Sequence, residues 1–168
     1  KTELGLASAK DFSYLAQSGT FEVPGLNDKD AYKELVEALG SIKMSQEQQD
    51  GVCYVLAGLL HVGNINFEGE DSAKVKADSA AALKKVIELM GTPKLEKCLL
   101  QRSLTTRGET TMIDLTPEAA VLARDALGKS IYAKLFDYIV ESVNVSIKGT
   151  GSDKDRFIGL LDVYGFES

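Results

Sequence analysis

The sequence predicts an α/β protein, predominantly α-helical, with a surface β-hairpin at about 102–115 and a buried sheet strand at about 156–161. Three observations carry that expectation. Apolar residues recur at helical spacing through most of the first hundred positions and again after Thr116. β-rich residues flank an Arg107-Gly108 pair, the chemistry of a tight hairpin turn. The run Phe157 to Leu161 is apolar without interruption, as in a strand covered on both faces of a parallel sheet.

Taken in order, "SAKDFSYLAQSG" has Ser8 with Asp11 three residues on, a capping-box pattern, and predicts a short helix stopping at Gly19. A brief β-like piece from Phe21 to Val23 is broken by Pro24-Gly25. Asn27 then caps a helix ending at Gly40, with Leu35, Val36 and Leu39 as its apolar stripe. Ser45 and Gln48 form a second capping box, for a helix marked by Val52, Val55, Leu56, Leu59 and Leu60 and closed by Gly63-Asn64. Ile65 and Phe67 alternate as a short strand. Two further helices follow, "ADSAAALKKVIELMG" and "TPKLEKCLL", the second with Thr92 as cap and Pro93 in the first turn, where its missing N–H costs nothing.

After the hairpin, Thr116 and Pro117 open the longest element, a helix to about Ile147 interrupted in propensity only by Gly128. Its expected buried face is Leu127, Ile131, Leu135, Tyr138, Ile139 and Val143. At about 1.5 Å per residue it spans roughly 45 Å, the width of a small domain. The chain thus divides into a helical part (1–100), a hairpin (101–115), a long helix (116–147) and a strand with its loop (156–168), all within one domain-sized unit.

Composition narrows the function. The 168 residues are 44% hydrophobic and 26% charged, enough for a sizeable core. A net charge of −6 argues against a general nucleic-acid binder, which needs excess Lys and Arg to displace counterions. Cys53 and Cys98 lie far apart, each in an apolar helical segment, and read as reduced core thiols. The single histidine, His61, reads as a helix-end or packing residue; with no Cys/His cluster beside it, zinc has no ligand set. No stretch is apolar enough to span a bilayer, and no signal peptide is evident at the N-terminus.

The closing "LLDVYGFES" carries the clearest chemistry. Ligands of open α/β sheets bind outside the carboxyl ends of the strands, and a strand through Leu161 delivers Asp162 there. Its hard carboxylate suits Mg²⁺, directly or through water. Gly165 would let a backbone N–H approach a γ-phosphate, and Glu167 adds a second carboxylate near an attacking water. The same Asp-x-x-Gly spacing also occurs in ordinary strand-to-loop turns.

Four blocks together resemble the myosin motor domain. "LLDVYGFES" resembles its switch II, in which the strand is followed by Asp-Ile-x-Gly-Phe-Glu. "YLAQSG" (Tyr14 to Gly19) is similar to Tyr-Leu-Asn-Gln-Ser-Gly, with Ala16 in place of Asn. "VLAGLLHVGNINF" (Val55 to Phe67) and "RDALGKSIYAKLFDYIVESVN" (Arg124 to Asn144) complete the set, the latter with Gly128 where the family has Ala. The resemblance implies a P-loop NTPase-type motor core that hydrolyses ATP with Mg²⁺ and moves on actin filaments. Asp162 then supports the magnesium shell, Gly165 meets the γ-phosphate, and Glu167 pairs with a switch I arginine and positions the lytic water. Catalysis of that kind is positioning and electrostatics.

The hairpin falls on the family's actin-meeting cardiomyopathy loop, which makes Arg102, Arg107 and Glu109 candidate contacts. The family carries an acidic or phosphorylatable residue sixteen positions before the Asp of the Asp-Ala-Leu block, and counting back from Asp125 reaches Glu109. A glutamate there would be a fixed charge; without the resemblance it reads as an ordinary hairpin charge. Light chains or calmodulin are expected only through a neck the chain does not contain. The resemblance also implies a cytoplasmic, cytoskeletal protein.

Neither a Gly-x-x-x-x-Gly-Lys-Ser/Thr phosphate loop nor the switch I signature occurs in the sequence. The chain is therefore expected to be a central piece of a motor, mainly its upper subdomain, inactive towards ATP by itself. Tyr164 within switch II leans toward an unconventional myosin class rather than the Ala-bearing muscle type. Two other readings stand beside it: a non-enzymatic helical module that binds actin or another partner, and a different P-loop NTPase. Kinesin and GTPase patterns lack Gly-Phe-Glu and the upstream blocks, which disfavours the last.

Overall fold

The structure, a computed structural model, describes residues 3–148 and 158–159. The first turn, Ala9–Asp11, is 3-10 rather than α, and it is followed by a single α-turn, α1 (Ser13–Ala16). The expected helix from Ser8 to Gly19 is therefore divided at Phe12, whose extended backbone (φ −114°, ψ 115°) lets its ring sink to 4% exposure. There it meets His61 edge-on, with ring centroids 5.3 Å apart. Burial of an aromatic ring outweighed local helix propensity. The Ser8–Asp11 cap is present, with the Ser8 N–H donating to Asp11 Oδ2 at 2.9 Å.

Phe21 to Val23 forms no strand, and the Leu26 N–H closes the Pro24-Gly25 turn onto Val23 O at 3.1 Å. Helix α2 (Asp28–Ser41) starts at Asn27 as expected, its side chain accepting from the Lys29 N–H. Its stripe is not fully buried. Leu39 is 8% exposed, whereas Leu35 and Val36 remain 49% and 38% exposed because only the C-terminal end of α2 packs. That end joins Met44 and Val52 in a small cluster flanked by Ile42, Leu135 and Ile139.

Helix α3 (Gln46–Gly63) carries the predicted reciprocal cap: Gln48 N–H donates to Ser45 Oγ at 3.2 Å and Ser45 N–H to Gln48 Oε1 at 2.8 Å. Gln48 also donates from Nε2 to the Tyr138 hydroxyl at 2.9 Å, so one side chain caps α3 and ties it to a later helix. A minimal ribbon follows, β1 (Phe67–Glu68) against β2 (Lys74–Val75), then α4 (Ala80–Met90), closed by Gly91 at φ +62°, and α5 (Leu95–Leu100). Ile65, expected in a strand, lies just before β1 and is wholly buried. Helix α5 begins beyond the expected Thr92 cap; Thr92 to Lys94 form a turn in which the Leu95 N–H reaches Thr92 O at 3.0 Å.

Strands β3 (Gln101–Thr106) and β4 (Glu109–Asp114) form the predicted hairpin, and α6 (Pro117–Ile147) the predicted long helix, with Thr116 Oγ1 accepting from the Ala119 N–H. The main core lies where α3, α4, α5 and α6 meet. Val62, Ile65, Val86 and Leu99 are all but removed from water, and each contributes about 1.5–3 kcal/mol of burial. On α6 the fully buried residues are Ala120, Arg124 and Gly128; of the expected face, Leu127, Ile131, Leu135, Ile139 and Val143 are half-buried and Tyr138 is exposed. Its contacts with the main core run along the N-terminal half; beyond it Leu135 and Ile139 pack on the small cluster of Leu39, Met44 and Val52, while Tyr132, Phe136 and Val140 face outward.

Both cysteines are free, yet neither is a core thiol: Cys53 is half-buried and Cys98 exposed, because α5 turns Leu95 and Leu99 inward and Cys98 away. Most of the expected strand at 156–161 lies outside the described residues. Of it, Ile158 and Gly159 carry no strand pairing, and Ile158 is 93% exposed, since no described strand lies beside it to supply backbone partners or cover. Among the described residues no helix is long and apolar enough to cross a membrane.

Candidate functional site

The β3–β4 hairpin turns on two residues with positive φ, Arg107 at 53° and Gly108 at 87°, as a type I′ connection requires. Its right-handed twist matches the strands on either side. Glycine meets the demand freely, whereas Arg107 does so at a cost of about 1–2 kcal/mol. Six residue pairs follow in register, from Thr106↔Glu109 at the tip to Gln101↔Asp114 at the base.

Pleating sorts the side chains. Arg102, Leu104, Thr106, Glu109, Thr111 and Ile113 share one face, and Gln101, Ser103, Thr105, Thr110, Met112 and Asp114 share the other. Arg102 and Glu109 thus stand on the same face at opposite ends of the ribbon, with Arg107 at the tip. Among the described residues no ion pair engages any of the three. Leu104 and Met112, each 45% exposed, add apolar surface on opposite faces. Both faces of the ribbon are thus open, with exposed charges and exposed apolar side chains.

The base is rigid. Gln101 Nε2 donates to Asp114 Oδ1 at 2.7 Å, the Leu115 N–H to Leu100 O at 2.8 Å, and the Ala73 N–H to Leu115 O at 2.7 Å. Leu99 and Ala120, on the elements flanking the hairpin, are both buried in the main core. The projecting ribbon is therefore fixed to the body of the protein on both sides of its root.

A second constellation, which the sequence reading did not single out, joins α1, α3 and α6. Arg124 is only 8% exposed; it donates from Nη1 to Ile65 O and from Nε to Asp125 Oδ1, both at 2.8 Å. Tyr14 donates its hydroxyl to the same Asp125 oxygen at 2.7 Å, and the Arg124 guanidinium lies 5.9 Å from the Tyr14 ring centroid. Burial, reinforced by the Asp125 hydrogen bond and charge, pushes the Tyr14 hydroxyl up to about 12. Two glycines admit the ring: a Cβ at Gly63 would lie 2.8 Å from Tyr14 ring carbons, and one at Gly128 would lie 3.3 Å from its hydroxyl. The signal in the sequence was the four-residue spacing Ala120, Arg124, Gly128, which puts a charge on a buried stripe.

Beside this cluster an open groove of about 780 Å³ runs between α1, α3 and α6, lined by Leu15, Leu56, Leu60, Tyr132 and Ala133 with Lys129 at its edge. His61 is confirmed as a packing residue at the end of α3, where Nε2 lies 3.0 Å from Leu4 O and must carry the proton to bond it. Asp162, Gly165 and Glu167 lie outside the described residues. Among the described residues no group of three or more His, Cys, Asp or Glu is placed to hold a metal ion.

Comparison with known proteins agrees with the four sequence blocks. The family described as myosin head (motor domain) matches residues 1–168. The chain is 43% identical over 169 aligned positions to Myosin-6 of Arabidopsis thaliana, covering 97% of this chain and 11% of that protein. Myosin-14 and Myosin-8 of the same plant are each 40% identical over 169 positions, again covering 97% of this chain and 11% of theirs. The chain thus spans about a tenth of the length of these curated relatives. With its hairpin and its Tyr-Leu and Arg-Asp-Ala-Leu blocks brought together at α1 and α6, the chain belongs to the myosin head (motor domain) family.

Proposed function

We propose that this chain supplies part of an actin-based motor that binds and hydrolyses Mg²⁺·ATP, on a P-loop NTPase-type core. The observation that carries the reading is the family match across residues 1–168. In this account Asp162 supports the magnesium shell, Gly165 donates its N–H to the γ-phosphate, and Glu167 positions the attacking water. The donor chemistry fits one side of such a site, with a hard carboxylate for Mg²⁺ and a side-chain-free backbone for phosphate. It does not amount to a cradle, so the phosphate loop and an arginine partner for Glu167 come from residues other than these 168.

The hairpin is the actin-facing element. Arg102, Arg107 and Glu109 supply its charged contacts and Leu104 the apolar one, and its rigid root keeps the strands presented. Light chains or calmodulin would bind through a neck rather than through this segment. The motor works on actin filaments in the cytoplasm.

The test is to place this segment in the frame of a related motor, replacing the matching residues of Arabidopsis Myosin-6, and to measure Mg²⁺-dependent ATP hydrolysis with and without actin filaments. Actin-activated turnover by the chimera, with none by the 168 residues alone, is the expected result. A chimera that folds but binds neither nucleotide nor actin would overturn the reading.

A further inference from the structure

We propose that Tyr32 on α2 is a phosphorylation site for a protein tyrosine kinase whose substrate groove selects carboxylates before the acceptor and an apolar residue three positions after it. Asp28 and Asp30 stand four and two residues before Tyr32, Glu34 two residues after it, and Leu35 at the third position beyond. The helix that carries them is buried only at its far end. Every residue from Glu22 to Ala38 is exposed, and within α2 Leu39 alone is buried. Tyr32 itself is 56% exposed. Such a helix unwinds over its first turns without opening the core, which lets Asp28 to Leu35 lie extended in a kinase groove. The pair between Lys33 Nζ and Asp30 Oδ1, 3.0 Å apart, does not hold it closed, since both side chains are more than half exposed.

The other tyrosines among the described residues fit less well. Tyr14 is wedged against Gly63, and its hydroxyl is bound to Asp125. Tyr54 donates its hydroxyl to Glu3 Oε1 at 2.9 Å and lies within α3 between the buried Val52 and Ala57. It has one carboxylate ahead of it, Asp50, and only the small Ala57 at the third position beyond. Tyr132 has Lys129 and no acidic residue among the four before it. Tyr138 follows Asp137 but has Glu141 where the groove takes an apolar side chain. Both also lie inside the 31 residues of α6.

In the transfer, Tyr32 Oη forms a bond to the γ-phosphorus of ATP while the bond from that phosphorus to the β,γ-bridging oxygen breaks. The electron pair leaves with ADP, and the phenolic proton passes to the kinase's carboxylate base. The Tyr32 hydroxyl stands beside Cys53 of α3, within the field of Asp50. Phosphorylation places about −1.5 to −2 there. Asp28, Asp30 and Glu34 on the same helix and Asp50 on the facing one repel that charge, and Lys29 and Lys33 only partly offset them. The added group therefore parts the start of α2 from α3 and opens the half-buried Cys53. The site stands on exposure, flanking charge and the open packing of α2, and does not depend on the motor reading.

The experiment incubates the chimeric motor with Mg²⁺·ATP and the catalytic domain of spleen tyrosine kinase, and maps the product by peptide mass spectrometry. A phosphoryl group at Tyr32 is expected, lost in Tyr32→Phe and slowed about tenfold or more when Asp28→Asn and Asp30→Asn are combined. Removing those carboxylates also weakens the helix at its N-terminus, which by itself speeds access, so a slower rate reports recognition. No incorporation at Tyr32, faster incorporation at Tyr54, Tyr132 or Tyr138, or a rate unchanged or raised in the combined variant would overturn the proposal. Maleimide labelling of Cys53 is followed in the same samples and should rise severalfold on phosphorylation. Unchanged labelling would overturn the parting of α2 from α3 and leave the modification site standing. ATP turnover of the chimera without the kinase tests the motor reading separately.

Discussion

The Tyr14 hydroxyl donates a 2.7 Å hydrogen bond to Asp125 Oδ1 across 111 positions of sequence. That oxygen also receives Arg124 Nε at 2.8 Å, so one carboxylate holds a buried guanidinium and a phenol together at the junction of α1, α3 and α6. The pairing joins two of the blocks that mark the family.

The two partners of that carboxylate are unequal. Tyr14→Phe removes a neutral donor and leaves Asp125 with Arg124, a loss of about 1.5 kcal/mol. Asp125→Ala strands the largely buried Arg124 without its counter-charge and costs more, about 3 kcal/mol, the low end for a broken buried pair because the Asp125 side chain is 34% exposed. Urea unfolding of the two variants checks the order; equal midpoints would contradict it.

The raised Tyr14 hydroxyl fixes the sign of an alkaline effect. Its value moves from 10.0 to about 12 on folding, so the fold binds that proton more tightly than the unfolded chain does. The stabilisation is complete below pH 10 and is lost as pH rises through about 12. The Tyr32 and Tyr54 hydroxyls are raised as well, by Cys53 and Glu3 beside them, so phenolate absorbance should show a late-titrating component that shrinks by one tyrosine in Tyr14→Phe, and the loss of stability over this window should be correspondingly smaller in that variant.

Gly128 sits inside α6, where alanine would favour the helix by about 1 kcal/mol. A Cβ there lies 3.3 Å from the Tyr14 hydroxyl, however, and only 3.6 Å from the nearest ring carbon. Gly128→Ala should therefore gain little in the natural sequence and nearly the full increment in a Tyr14→Phe background. A double-mutant cycle by thermal unfolding measures that coupling, and strict additivity would show that the glycine is not there for the tyrosine.

At the hairpin tip, stability and binding separate. Arg107→Gly relieves the left-handed strain at φ 53° and should stabilise the ribbon by about 1 kcal/mol. It also removes a tip charge, so the chimeric motor should need more actin for half-maximal activation, with basal ATP turnover unchanged. Actin titration at two salt concentrations checks this.

The turns and caps were legible because their chemistry is local. Arg107-Gly108, the Ser45/Gln48 box and Thr116-Pro117 each satisfy backbone groups within a few residues, and each stands where it was expected. What the sequence hid was decided by tertiary contact. Phe12 divided the first helix to reach His61, and α5 turned Cys98 outward to bury Leu99. Leu35 and Val36 belong to an apolar stripe by spacing, yet they remain 49% and 38% exposed and only Leu39 of that stripe is buried. Arg124 was hidden by its charge, since a guanidinium enters a core only when a carboxylate and a carbonyl wait there, and Ile65 O comes from 59 positions away. The hairpin charges were legible one by one, whereas their division between two faces required the register.

The central claim is that this segment carries the switch side of an ATP-hydrolysing motor, and ATP turnover by the chimeric motor bearing Glu167→Ala tests it most directly. The account predicts that nucleotide still binds while Mg²⁺-dependent hydrolysis, basal and actin-activated, falls to background. Turnover equal to that of the unmodified chimera would contradict it.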